Sequence, residues 1–142
     1  MKLLDLNVLI YALDESSPRH EAARSWLDET LSGSETVAFA WQVLVGFVRL
    51  STRAVIFARP LTVDEAFDVV DGWLDQPCAV VVHPGARHSW LLRELLGTAG
   101  TAGNLTSDAH LAALALEHGA ELCSSDADFG RFAGVRWVDP LR

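Results

Sequence analysis

Cysteine is nearly absent from this sequence. The two present, Cys78 and Cys123, each lie in or beside a short apolar run, which reads as a pair of reduced, buried, small hydrophobes and not as a disulfide framework. Long hydrophobic runs are missing as well. Nothing approaches the ~20 apolar residues of a membrane span, and Met1-Lys2-Leu3-Leu4-Asp5 reaches a carboxylate too early for a secretory signal. The expectation is a cytoplasmic protein with no membrane role. Cations are scarce: 11 Lys and Arg face 19 Asp and Glu, for a net charge of −8. Tight, non-specific binding to a phosphate backbone needs clustered Lys and Arg. Any nucleic-acid role must therefore rest on a local site, a metal ion or a partner, and an acidic surface suits a basic protein partner. Internal repeats and low-complexity tails are also lacking, and His20, His83, His88 and His118 show no metal-ligand spacing.

What is present is apolar residue in quantity. Half of the 142 residues are hydrophobic, enough for one core without staples, and the length suits a single domain over residues 1–142. Short apolar runs alternate with helical patterns. Lys2-Leu3-Leu4-Asp5 reads as a first strand ending on an acid. Ser17-Pro18 opens a helix, with Ser17 as its cap. Thr36–Phe39 reads as a second strand, and Trp41–Arg53 as a helix apolar around most of its circumference. Thr62-Val63-Asp64-Glu65 is a capping box for a helix that Gln76-Pro77 ends. Ala79–Val82 is a continuous apolar strand of the kind covered on both faces. A helix follows over His88–Leu96, then a flexible stretch over Gly97–Gly103. Thr106 or Ser107 caps the next helix, which Gly119 closes. Glu121–Ser124 and Val135–Val138 are the remaining strands, separated by a short helical turn over Asp126–Phe132. This alternation specifies an α/β fold, a three-layer α/β/α sandwich around a mostly parallel sheet of four to five strands.

In such sheets the ligand site lies beyond the carboxyl ends of the strands, where strand order reverses. Acids stand at those places. Asp5 ends the first strand, Asp126 and Asp128 follow the fourth, and Asp108 lies at the start of the helix leading into it. Carboxylates gathered closely repel one another and hold protons unless a cation neutralises them. A hard divalent ion such as Mg²⁺ or Mn²⁺ does so through oxygen ligands, and it also polarises a phosphoryl oxygen and acidifies water. Taken singly, Asp108 is equally a complement to a helix dipole, and Asp126 or Asp128 a helix cap. Asp5, directly after Leu3-Leu4, is a poor choice for packing alone. Asn7 either orients Asp5 by hydrogen bonding or caps a helix over Val8–Leu13.

These residues also match a family pattern. Leu4-Asp5-Leu6-Asn7-Val8-Leu9-Ile10-Tyr11-Ala12 resembles the opening of PIN-domain proteins, particularly the VapC-type toxins of bacterial toxin–antitoxin pairs. Thr106–Ala115 (TSDAHLAALA) resembles their central motif. Ser124-Ser125-Asp126-Ala127-Asp128-Phe129 resembles their late motif, with Ser124 where Thr is commoner, and Gly46–Leu50 resembles a further family segment. The resemblance implies a PIN-like fold and a Mg²⁺- or Mn²⁺-dependent endoribonuclease acting on single-stranded or looped cellular RNA. It also implies a homodimer, neutralised by a cognate antitoxin. It makes Asp5 and Asp108 the main metal ligands and has Asp126 complete the cluster, with Asn7, Asp128 and Ser124 as supports. One departure stands out. The family usually has a glutamate on the helix that here spans Trp41–Arg53, yet no acid occurs between Glu35 and Asp64. The resemblance puts the expected position near Gln42 to Gly46, at Leu44.

Two functions from different classes follow. The first is metal-assisted RNA hydrolysis carried by Asp5, Asp108 and Asp126. The second is a PIN-like module of weakened turnover that holds RNA or an antitoxin, as the missing glutamate suggests. A phosphohydrolase working through an aspartyl-phosphate wants a second acid at Asn7, and Asn cannot serve. Arg49 and Arg53, one turn apart on the apolar helix, suit a phosphate, an antitoxin carboxylate or a solvated salt bridge. His110 reads as a packed or exposed histidine before a substrate contact, and Gly97–Gly103 as an ordinary loop before a mobile lip.

Overall fold

The computed structural model describes residues 1–142. Five short strands form its sheet: β1 (Lys2–Leu4), β2 (Val37–Phe39), β3 (Ala79–Val81), β4 (Glu121–Cys123) and β5 (Trp137–Val138). Every pairing is parallel and the order is β3-β2-β1-β4-β5. The helices are α1 (Leu6–Leu13), α2 (His20–Ser32), α3 (Trp41–Ser51), α4 (Val63–Leu74), α5 (His88–Ala99) and α6 (Thr106–His118).

Parallel neighbours cannot be joined by a hairpin, so each connection crosses over through helices. The chain moves outward from β1 to β2 to β3, then returns to place β4 on the other side of β1. Right-handed crossovers put α1–α4 on one face and α5–α6 on the other. The packing agrees: α1 touches α2 and α3, α3 touches α4, and α5 touches α6. The three central strands are dry, with Leu3, Leu4, Val37, Ala38, Phe39, Leu122 and Cys123 fully buried. In register, Leu3 faces Ala38 on one side and Leu122 on the other. Phe39 stacks on Trp73 of α4, which Phe47 of α3 meets edge-on. The reversal of strand order at β1 and β4 opens the crevice that the site occupies.

Several local expectations shift. β1 stops at Leu4 because Asp5 turns outward to cap α1, its carboxylate accepting from the Leu6 N–H at 2.7 Å. Ser17 makes a turn with the Arg19 N–H at 3.1 Å and α2 begins only at His20. β3 is an edge strand, half-buried, with Val80 exposed, so its apolar run does not mark a doubly covered position. Helix α5 continues through Gly97 to Ala99 and ends on Gly100 at φ 78°, which shortens the expected flexible stretch. Neither Thr106 nor Ser107 caps α6; a 3₁₀ turn at Gly103–Leu105 feeds directly into it. Gly119 closes α6 at φ 63°, and the Thr62–Glu65 capping box is formed. Both cysteines are free; Cys123 is buried, which pushes its thiol up to about 12. No helix is long and apolar enough to cross a membrane.

Candidate metal centre

A single hydroxyl organises the acids at the ends of β1 and β4. The backbone ladder between these strands continues past their ends, with the Asp5 N–H donating to the Cys123 carbonyl at 3.0 Å. This sets Asp5 beside Ser124, which is fully buried. Ser124 Oγ donates to Asp5 Oδ2 at 2.6 Å and accepts from Asn7 Nδ2 at 3.1 Å and from the Asp126 N–H at 3.0 Å. Asn7 Oδ1 in turn accepts from the Ser125 N–H at 3.2 Å. Asn7 is therefore tied to the β4 loop and caps nothing. The Ser124 carbonyl accepts from Trp137 Nε1 at 2.9 Å, which fixes the loop from the β5 side.

Two further acids complete the group. Asp126 precedes a 3₁₀ turn (Ala127–Arg131) and accepts from the Asp128 N–H at 2.9 Å, which brings Asp128 back beside it. Asp108, in the first turn of α6, points at the same place. One oxygen each from Asp108, Asp126 and Asp128 lies within 4.8 Å of the other two. Asp5 stands next to this trio, held toward Ser124 and within the reach of its charges. Burial pushes Asp108 up to about 6, followed by the charges of Asp126, Asp5 and Asp128. Asp5 is also raised, first by burial and last by Asp126, while the bonds from Ser124 and Leu6 oppose the shift. None of the four forms an ion pair with a basic side chain. Four carboxylates without a basic partner, all oxygen donors, with burial raising the proton affinity of Asp5 and Asp108, fit a hard divalent cation.

Asp5 and Asp108 line a cleft of about 200 Å³ together with Leu6, Gln42, Val43, Gly46, Arg49, Ser107 and Leu111. Helix α3 thus faces the acids through Gln42, Gly46 and Arg49, spaced i, i+4, i+7 on one side. Leu44 is not on that side; it is fully buried in the core, so a side chain at that position does not reach the cleft. Gln42, whose amide reaches the Ser107 carbonyl at 3.5 Å, and Gly46 stand there, and neither brings a charge. Arg53 is exposed beyond the end of α3. His110 points away from the cleft into the α5–α6 seam, where its Nδ1 meets His88 Nε2 at 2.8 Å and His88 Nδ1 meets Glu117. His20 is buried against the Tyr11 carbonyl, and His118 contacts the His83 carbonyl.

Three comparisons bear on this arrangement. The family model described as "PIN domain" matches residues 2–135. The curated "Ribonuclease VapC37" of Mycobacterium tuberculosis (strain ATCC 25618 / H37Rv) is 50% identical over 140 residues, covering 99% of this chain and 97% of that one. "Ribonuclease VapC33" of the same strain is 40% identical over 142 residues, covering 100% and 99%. Among solved structures, VapBC-1 from nontypeable Haemophilus influenzae aligns at TM-score 0.71 and 14% identity, covering 99% of this chain and 98% of that one. VapBC2 from Rickettsia felis, bound to a promoter DNA fragment, aligns at 0.69 and 17%, covering 96% of each. These structures share the fold, and the whole-length match to the curated relatives supplies the kinship: the chain belongs to the PIN-domain family.

Proposed function

We propose that this chain is a metal-dependent endoribonuclease of the VapC type, a toxin held in check by a protein antitoxin. The observation that carries the reading is the uncompensated aspartate cluster at the β1/β4 crevice, in a chain half identical to a curated VapC ribonuclease. Asp5, Asp108 and Asp126 are the proposed ligands of a Mg²⁺ or Mn²⁺ ion, with Asp128 close enough to join them. When bound, such an ion supplies charge stabilisation at a phosphoryl oxygen and a more acidic water.

The chain's own residues do the rest. Ser124 and the Leu6 N–H hold Asp5 in one orientation, so that its lone pairs stay aimed at the crevice. Asp126 is fixed by its backbone bond to Ser124. Asp108, whose hold on a proton is raised by burial and by the neighbouring aspartates, is the acid that a cation in the cluster would relieve. The substrate suited to an open, shallow cleft of this size is single-stranded or looped RNA, whose unstacked bases can be splayed aside. We place the protein in the cytoplasm and read it as a homodimer. Support for a protein partner comes from an apolar groove of about 240 Å³ between α3 and α4, lined by Trp41, Val45, Val48 and Phe67 among others. Trp41, Val45 and Phe67 are exposed, and an exposed apolar patch of this kind marks an interaction surface.

RNA cleavage measured with and without Mg²⁺ tests the reading. The wild type is expected to cut only with the ion, and Asp5→Ala and Asp108→Ala are each expected to lose at least about 100-fold, as for a lost transition-state electrostatic group. Metal-independent cleavage, or full activity in either variant, rejects it. The absence of any acid on the cleft side of α3 favours a second reading, a module that binds RNA or antitoxin with weak turnover. The same assay separates the two, since that module binds its partner and shows no metal-dependent cleavage.

A further inference from the structure

One arginine of this acidic chain lines the cleft, a second follows it one turn along, and neither forms an ion pair. Arg49 lines the cleft beside Asp5 and Asp108, and Arg53 follows one turn later; both are exposed. The ion pairs of the molecule engage the N-terminus, Lys2, His88 and Arg142 only. The cause lies in the sequence. From Thr36 to Val63 there is no acid, while the net charge of the whole is −8. A cation in the last turn of a helix complements its dipole, which accounts for Arg49 but not for Arg53, one residue past the Thr52 C-cap. Arg59 belongs elsewhere. The loop after α3 folds back, with the Leu61 N–H donating to the Ser51 carbonyl at 2.8 Å. Arg59 there lines a separate groove of about 480 Å³ in which Asp14 and Glu15 outnumber it.

A strand of phosphates approaching four aspartates is repelled except along a path where cations face it. We propose that Arg49 and Arg53 form that path: they bind phosphates of single-stranded RNA on one side of the scissile bond, so the substrate leaves the acidic centre along the C-terminal end of α3. Guanidinium groups suit the role because they bind phosphate oxygens through paired N–H donors and stay charged at any working pH. The assignment rests on the ribonuclease reading and adds to it a direction for the bound strand and two substrate-positioning residues.

The test uses the full chain and a fluorescent oligouridylate, with binding followed by anisotropy in EDTA across about 50 to 200 mM salt. Arg49→Ala and Arg53→Ala are each expected to weaken binding and to flatten the plot of log affinity against log salt by about 0.7, the value of one single-strand phosphate contact. Arg49→Lys is expected to keep the slope. Arg59→Ala and Arg93→Ala, the latter on α5, are expected to leave it unchanged. Arg49→Gln and Arg53→Gln, checked for unaltered thermal unfolding, cover the case in which the aliphatic stems are needed for packing. Cleavage of the same RNA in Mg²⁺ is scored in parallel. Wild-type cleavage with slopes that ignore both arginines overturns this inference alone and leaves Arg49 and Arg53 to a protein carboxylate. Arginine-dependent slopes without cleavage support the path and reject the ribonuclease reading. No binding of the oligomer by the wild type overturns the path outright.

Discussion

A buried hydroxyl that donates once and accepts twice has no spare capacity, and Ser124 is in that position between Asp5, Asn7 and Asp126. Ser124→Ala leaves a buried carboxylate oxygen, an amide and a backbone N–H short of a partner. The expected loss is about 2 kcal/mol of stability and roughly 10- to 100-fold in Mn²⁺ affinity, the usual effect of removing a group that orients metal ligands. Ser124→Thr keeps the hydroxyl and is expected to retain both. Urea unfolding and Mn²⁺ titration calorimetry measure the two effects. Asp108 makes a pH prediction. Its pKa is about 6 in the folded chain against 3.8 for the free side chain, so between those values the folded state binds more protons than the unfolded one. Stability of the metal-free protein should therefore fall as pH rises from about 4 to about 7. The urea midpoint is expected to drop over that range in EDTA, to drop less in Mg²⁺, and to drop least in Asp108→Asn. At this scale the sequence exposes the acids by their places at the strand ends, and it leaves open that Asp5 and Asp126 also cap the helical turns that follow them. It hides which side of α3 they meet. Trp41 and Val45 are as apolar as Val43, Leu44 and Phe47, yet the first two are exposed and the others buried, so hydrophobicity does not reveal the helical phase. The closeness of Asp128 to Asp108 depends on a hydrogen-bonded turn that no spacing rule encodes.

Elements were legible where their ends carry their own chemistry. Thr62 Oγ1 accepts from the Glu65 N–H at 3.2 Å and Glu65 Oε1 accepts from the Thr62 N–H at 3.0 Å. The formed box also lowers the pKa of Glu65, first through the backbone bond from Thr62. Thr62→Ala is expected to cost about 1 kcal/mol, seen as a lower urea midpoint at unchanged slope, with RNA cleavage intact because α4 supplies nothing to the acidic cleft. The start of α6 was legible to within a residue or two but its side-chain cap was misread, because a 3₁₀ turn leads directly into the helix. The edge position of β3 was not legible, since apolar content alone does not separate a covered strand from one whose outer side lies open. Helix α6 itself is buried along Ala109 and Leu111–Ala115. That burial makes it a rigid support for Asp108, and its small alanines let it sit close to the sheet.

For the molecule as a whole, alternating strands and helices were enough to specify a parallel sheet between helical layers, and the family's motifs appear in order along the chain. The pairing order had to come from the structure, because sequence adjacency says nothing of which side of β1 receives β4. The whole surface also bears on partner binding. Phe67→Asp puts a charge into the α3–α4 groove, where Phe67 is 43% exposed. It is expected to abolish capture by a co-expressed antitoxin, read by pull-down, while the urea midpoint shifts by less than about 0.5 kcal/mol, as for other exposed substitutions. The central place of β1 has a further consequence during synthesis. The hydroxyl that fixes Asp5 is made 119 residues after it, and Asp108, Asp126 and Asp128 likewise follow it by more than a hundred residues. A polypeptide stalled between Asp5 and Asp108 holds one of the four clustered aspartates and no place for a cation. Interrupted translation thus leaves the acids unassembled, and the centre arises only once the loop after β4, with Ser124, Asp126 and Asp128, has been made.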